Sequence, residues 1–272
     1  MPGGVALHQR ALAIVPATLV IAWLALACEP TVLIGTCSPA SGEDAGAAGA
    51  AGDQELVSVP WSTGFEDGLC GYRSAGGFCY ARHDASIEIV ESPTPHSGKF
   101  SAAFTVNGNA TTADRSQARC VREGVMPKSA YYGAWYRVPA VRADVDNWNL
   151  FHFEGLTSAG DPSPLWDVSL ANNAKGGLQL AVRNFLTATD EPISVDSIPI
   201  DRWFHVEMQI VRSAQANGEI TVLQDDVSVL HRTNLITDDT EWSQWFVGNY
   251  AKTLTPSLST VYVDDITIRE ER

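Results

Sequence analysis

The residues of this chain that could do chemistry gather in a few short stretches. NWNLFHFEG carries His152 and Glu154, AYYGAWYRVP carries Tyr136 and Arg137, GLQLAVRNF carries Gln179 and Arg183, and VGNY carries Asn249 and Tyr250. Imidazole, guanidinium, phenol and amide groups together can neutralise an anion, take a proton from carbon and return one to a departing oxygen. His152, Arg137, Tyr250 and Arg183 are therefore the candidate catalytic set. The plainer reading of His152 is a packed or hydrogen-bonded strand residue. Glu154 beside it has the wrong sign for holding an anionic ligand.

Binding without chemistry asks for less: flat aromatic faces for sugar C–H surfaces and planar polar groups for hydroxyls. Tyr136, Trp148, Glu154, Gln179, Trp242 and Asn249 are the candidate carbohydrate contacts. Trp135, Trp166, Trp245 and Tyr250 add further rings. Most of these rings suit a core, and Trp148 and Trp242, in loop-like contexts, are the two expected at the surface. No E-x-D-x-E run of a retaining glycosidase occurs, although Glu154 and Asp167 could meet across neighbouring strands. C-x-x-C, H-E-x-x-H, G-x-S-x-G and phosphate-loop patterns are also missing, so zinc and nucleotide chemistry drop out.

The 272 residues carry a net charge of −14, from 18 basic and 32 acidic side chains. Such a surface repels phosphate backbones, which argues against nucleic acid as a partner. Between positions 115 and 142 the balance reverses locally: Arg115, Arg119, Arg122, Lys128, Arg137 and Arg142 stand against Glu123 alone. That run is either an anion-facing patch or, more plainly, solvated arginines on strand edges.

The elements that must position these groups are strands. In PIDRWFHVEMQIV, Phe204, Val206, Met208 and Ile210 alternate with Trp203, His205, Glu207 and Gln209, the period of a half-buried strand. Asn217-Gly218 marks a turn, and Ile220 to Leu230 supplies return strands. Pro199 to Leu235 thus reads as the back sheet of a sandwich, its polar side in water. Ile87 and Ile89, then Phe100 to Val106, form a pair joined at Ser97-Gly98. Tyr132, Ala134 and Tyr136 share one face; so do Leu150, His152 and Glu154, opposite Phe151 and Phe153. LWDVSLANN and GLQLAVRNF form a hairpin across Asn173 to Gly177. The fold class is all-β, a two-sheet antiparallel jelly-roll sandwich.

The chain start reads as an address. Residues 1–27 combine Arg10, an apolar run and small closing residues, the pattern of an export signal. LALAC resembles a lipobox, which makes Cys28 the expected lipidation site and an outer-membrane or cell-surface lipoprotein the expected location, with secretion if Cys28 is not lipidated. Residues 28–56 are then a flexible tether rich in Ala, Gly and acids, and 57–272 the folded domain. The membrane is met only through the lipid, and the domain is expected to be a monomer. Cys70 and Cys79 bracket GYRSAGGF, so a hairpin-closing disulfide is the simplest pairing; the partner of Cys120 stays open among these two and Cys37.

GFEDG, SPTPHSGKFSA, WFHVEMQI with NGEITVLQDD, VGNY and VYVDDITI together resemble the concanavalin A-like jelly-roll domains of polysaccharide lyases of the heparin lyase I and glucuronan lyase type. The resemblance spans most of Trp61 to Arg272. FEDGLCGY and VDDITI also resemble MAM-type adhesion domains and carbohydrate-binding jelly rolls. Two departures stand out: Asp225-Asp226 replaces the usual Asp-Gly of the hairpin, and the family's Q-x-H pair, matched to FHFEG, falls on His152 and Glu154 and is not retained. The resemblance implies a surface-anchored domain that binds polysaccharide on a lyase-like scaffold, the alternatives being an active lyase of uronic-acid glycans and a MAM-like adhesion module. It also implies a structural calcium joining first and last strands, at Glu66 and Asp265 with Asp67 or Asp264 nearby. No other cofactor is expected.

Overall fold

A computed structural model shows two antiparallel sheets packed face to face. The structure describes residues 32–33, 56–73, 75–108, 115–144, 147–156, 161–191, 193, 197–238, 240 and 242–272. The export signal, Cys28, Cys37 and the tether from Ser38 to Glu55 lie outside them. Across the first sheet the strands run Val32–Leu33, Phe78–Arg82, Ser116–Gly124, Ser243–Ala251, Trp148–Leu156, Pro162–Asn172, Leu178–Asn184 and Thr189–Glu191. Across the second they run Val227–Leu235, Gly218–Gln224, Trp203–Val211, Ser129–Arg137, Leu258–Arg269, Ser101–Asn107 and Ser86–Val90, with Trp61–Thr63 paired to Leu258–Arg269.

The period-two pattern explains the core. Phe204, Val206, Met208 and Ile210 are buried with Tyr132, Ala134 and Tyr136 of the neighbouring strand. From the facing sheet come Phe151, Phe153, Trp166, Val168, Trp245 and Val247. Trp245 meets Phe151 edge-on at 5.0 Å and Tyr132 at 5.2 Å, knitting the two layers; burying each such side chain contributes about 1.5–3 kcal/mol. The hairpin between Gly218–Gln224 and Val227–Leu235 turns on Asp225 and Asp226, both at positive φ, 49° and 67°. That is the backbone a two-residue hairpin needs, so the pair takes the conformation that Asp-Gly usually supplies.

Three sequence expectations change. The second sheet's outer face is not wholly wet: Glu207 is fully buried there because Arg269 and Arg272 close over it as ion pairs. Leu150 joins Phe151 in the core rather than sharing a face with His152, because the pairing with Pro162–Asn172 slips by one residue at Val168/Ser169. Finally, Cys79 is bonded to Cys120, not to Cys70. The two sit directly opposite on paired strands with Cα atoms 4.0 Å apart, whereas Cys70 lies in the single helical turn Cys70–Arg73 and is in a different disulfide.

The Cys79–Cys120 bridge closes a span of 41 residues. Replacing both cysteines by alanine is expected to lower the unfolding free energy by about 4 kcal/mol on the chain-entropy argument, read by denaturant unfolding. Peptide mapping without reduction should recover a Cys79–Cys120 fragment and none joining Cys70 to Cys79.

Candidate functional site

The outer face of the first sheet collects the polar residues. Along Trp148–Leu156 strict alternation would turn Asn149 inward if His152 faced out. The slip at Leu150 inserts an extra core residue, so Asn149 and His152 both leave the core on the same side. On the adjacent strand Ser243–Ala251, Gln244, Phe246 and Tyr250 face outward while Trp245, Val247 and Ala251 pack inside. Phe246 is registered with His152 and Tyr250 with Asn149.

Tyr250 is fixed by its neighbour. The Asn249 side chain is fully buried; its Nδ2 donates to the carbonyls of Phe104 (2.9 Å) and Ser259 (3.1 Å) in the second sheet, and its Oδ1 accepts from Trp148 Nε1 (3.0 Å). Inward anchoring of Asn249 sends Tyr250 outward. Gly248 stands opposite Arg119 on the Ser116–Gly124 strand, where a Cβ would meet the Ala118 carbonyl at 2.3 Å. Glycine at 248 thus lets the two strands and the core ring of Phe104 come close, and the Arg119 guanidinium lies over the Phe246 and Tyr250 rings, 5.1 and 4.0 Å from their centroids, and donates to Asn149 Oδ1 at 3.0 Å. Arg115 Nη1 donates to the Tyr250 hydroxyl at 2.7 Å. Two guanidiniums therefore flank one phenol.

His152 is held between two carboxylates. Its Nδ1 is hydrogen-bonded to Asp167 Oδ1, directly opposite on the next strand, and its Nε2 lies 3.3 Å from Glu154 Oε2. Burial by itself pushes the imidazole pKa down. The Asp167 charge and the hydrogen bonds from Asp167 and Glu154 outweigh burial and the opposing Arg119 charge, and the pKa is raised. Both nitrogens face acceptors, the environment of an imidazolium. Glu154 and Asp167 do meet across strands, but through this ring rather than as a hydrolytic pair. Beyond Glu154, Gln244 Nε2 donates to Glu123 Oε2 at 2.7 Å; burial raises the Glu123 pKa and this hydrogen bond opposes the rise.

Of the sequence candidates, His152, Tyr250, Arg183, Glu154 and Gln179 share this outer face. Arg183 is registered with Asp167 and paired to Asp190 at 3.0 Å. Gln179 lies four residues along the strand from Arg183. Arg137 does not join them: it is on the second sheet, forked onto Asp201 at 2.8 and 3.0 Å. Tyr136 is a fully buried core residue whose hydroxyl donates to the Leu150 carbonyl, and Trp148, expected at the surface, is fully buried as well. Asn249 positions the strand instead of meeting a ligand. Trp242 is partly buried, its carbonyl accepting from the Leu156 amide.

The expected calcium ligands serve a loop. Glu66 Oε1 accepts from the amides of Lys99 and Phe100, Asp264 Oδ2 from those of His96 and Ser97, and Asp265 bonds His96 Nδ1 and Ser97 Oγ. Among the described residues no group of three metal-ligating side chains forms. A calcium ion asks for six to eight converging oxygens; these carboxylates are turned to N–H and O–H donors, an arrangement that does not fit the ion.

The residues of this face that the sequence does not mark as site groups are Arg119, Arg115, Asn149 and Phe246, and Asp167 is marked only as a partner for Glu154. Arg115 and Arg119 stood out only as part of a basic run. Their four-residue spacing at strand period, with Gln117 between, is the signal that they share a face, while Arg122, of opposite parity, is buried against Trp61 at 4.7 Å.

Comparisons with known proteins agree with this fold. A family profile described as polysaccharide lyase matches residues 62–267. A search of curated proteins finds no match. Among solved structures, an endo-β-1,4-glucuronan lyase from the fungus Trichoderma reesei superposes with TM-score 0.55 at 17% identity, covering 71% of this chain and 90% of its own. An alginate lyase from Aplysia kurodai gives 0.52 at 11%, with 78% and 98% covered, and a cellulose-induced protein gives 0.53 at 12%, with 78% and 97% covered. At these identities the likeness is one of fold, the jelly roll; the family match extends over most of the folded domain, and the chain belongs to the polysaccharide lyase family.

Proposed function

We propose that this protein cleaves a uronate-containing polysaccharide by β-elimination on the outer face of the first sheet. The observation that carries the reading is the Tyr250 phenol flanked by Arg115 and Arg119, on the same face as Asn149 and His152. Elimination next to a uronate needs the carboxylate neutralised, so that the C5 proton can leave and the charge can spread into the carboxyl group. Arg119 and Asn149 supply that, while His152 stays committed to Asp167 and Glu154. The Tyr250 oxygen, as phenolate, takes the C5 proton; the electrons form the C4–C5 double bond as the C4–O4 bond breaks; and the new phenol returns its proton to O4. Arg115, donating to the phenol oxygen, stabilises the negative charge that oxygen carries before and after the transfer.

A second reading, glycan binding without cleavage, draws on one observation: both nitrogens of His152 face carboxylates, so the imidazole presents no lone pair to act as a base. In that case Arg119 and the aromatic faces hold the uronate and the chemistry is absent.

Tyr250→Phe is expected to reduce release of unsaturated uronate, followed by its ultraviolet absorbance, by about 1000-fold or more while leaving affinity within a few-fold. Arg119→Ala should weaken binding by roughly tenfold or more in calorimetry. Wild-type protein that binds but releases no unsaturated product favours the second reading, and failure to bind any uronate polymer rejects both.

A pH test addresses His152. Its folded-state pKa is raised, so its stabilising contribution is fully present below the unfolded value of about 6.5 and is lost as pH rises through the folded value. Asp167→Asn should move the His152 titration down in NMR and flatten this slope in unfolding experiments above about pH 6.5. An unchanged titration would show that Asp167 does not hold the imidazolium.

A further inference from the structure

The outer face of the first sheet is electrically divided along its strands. Arg115 and Arg119 stand at one end of Ser116–Gly124 with Tyr250 between them. Glu123 stands at the other end, four residues beyond Arg119, which is about 13 Å of extended chain and longer than one sugar ring. Register carries the acidic end across three strands: Gln244 is opposite Glu123 on one side and Glu154 on the other. The Gln244 amide nitrogen is committed to Glu123, so this end offers acceptor oxygens.

From this division we infer that the protein acts on a polysaccharide in which uronate alternates with an uncharged or amino sugar, and discriminates against a homopolymer of uronate. The inference rests on the function proposed above and specifies its substrate class. A uronate seated against Arg115, Arg119 and Tyr250 has its carboxylate matched by cations. The next sugars along the strand direction meet Glu123, held by the Gln244 amide, and Glu154, whose Oε2 is paired with the His152 imidazolium; Glu123 carries most of the repulsion of a second carboxylate, and both accept from a hydroxyl, an amide N–H or an ammonium group. A homopolymer places a carboxylate on every ring and cannot avoid the acidic end; an alternating polymer places its donors there. Selection is thus exerted by repulsion away from the reacting bond.

The test compares two oligosaccharides of equal length, a glucuronan fragment and one alternating glucuronate with N-acetylglucosamine, by calorimetric affinity and by rate of unsaturated product. Wild-type protein is expected to favour the alternating fragment by roughly tenfold or more. Glu123→Gln, near in shape and still able to bond Gln244, should narrow that preference by roughly fivefold through gained affinity for glucuronan, the size of one like-charge contact in a half-solvated groove. Glu123→Gln/Glu154→Gln should narrow it further, and thermal unfolding of each variant checks that the fold is retained. A wild-type preference for glucuronan, or a ratio unmoved in folded Glu123→Gln, overturns the inference while leaving the lyase reading intact. Binding of neither fragment, with Arg119→Ala indistinguishable from wild type, overturns the function and the preference together.

Discussion

The outer face depends on one buried amide. Asn249 spends its donors on two carbonyls of the opposite sheet and its acceptor on Trp148, so a polar group with no access to water is fully satisfied. Such a group is costly to disturb, because removing a partner leaves desolvated oxygens or nitrogens uncompensated. What it enforces is direction: with Asn249 tied inward, the next residue, Tyr250, turns outward. Tyr250 then emerges where the Arg119 guanidinium can lie against its ring. The chemistry of the surface is thus set from inside the sandwich.

Arg119 shows how a nearly buried cation is tolerated on a sheet. It is 7% exposed, yet among the described residues it makes no ion pair; its charge is balanced by the faces of two aromatic rings and one amide oxygen. Ring faces and amides compensate a guanidinium only in part. The cation therefore keeps much of its attraction for an incoming anion, which an aspartate partner would have consumed. Arg137 makes the contrast: forked onto Asp201, it is already neutralised. His152 takes the opposite course, gathering carboxylates on both nitrogens so that a small ring becomes a fixed cation within a buried row.

Much of this architecture is legible in the sequence, because a half-buried strand writes its burial into every second residue. Phe204 to Ile210 and Tyr132 to Tyr136 follow that rule, and the second sheet falls where the pattern places it. The rule fails where pairing, not periodicity, decides. Leu150 and Phe151 are both apolar, so nothing local reveals that a slip against the neighbouring strand sends both inward and brings Asn149 out beside His152. Cys120 finds Cys79 because Phe78–Arg82 and Ser116–Gly124 are neighbours across a sheet, whereas proximity in the chain favours Cys70. Arg137 and Arg119 have similar local contexts, and only the assignment of their strands to different sheets separates a spectator from a site residue. Asp225-Asp226 is the reverse case: an apparent departure that the backbone absorbs, since aspartate tolerates positive φ better than most side chains.

The strand Leu258–Arg269 lies in the interior of the second sheet, paired with Ser129–Arg137 on one side and Ser101–Asn107 on the other, and touching Trp61–Thr63 as well. Its Ile268 is registered with Trp61, more than two hundred positions earlier, and among the described strands of this sheet the two sides meet through it. Before it docks, the second sheet is two unconnected halves with raw edges, and the carbonyl of Ser259 that holds Asn249 is not in place. Formation of the fold is therefore governed by distant contacts, which close slowly, and the nascent chain exposes pairing-competent strand edges until this strand is available. Any shortening that reaches this strand would remove the centre of a sheet rather than its margin, and would leave a chain prone to association instead of a smaller functional domain.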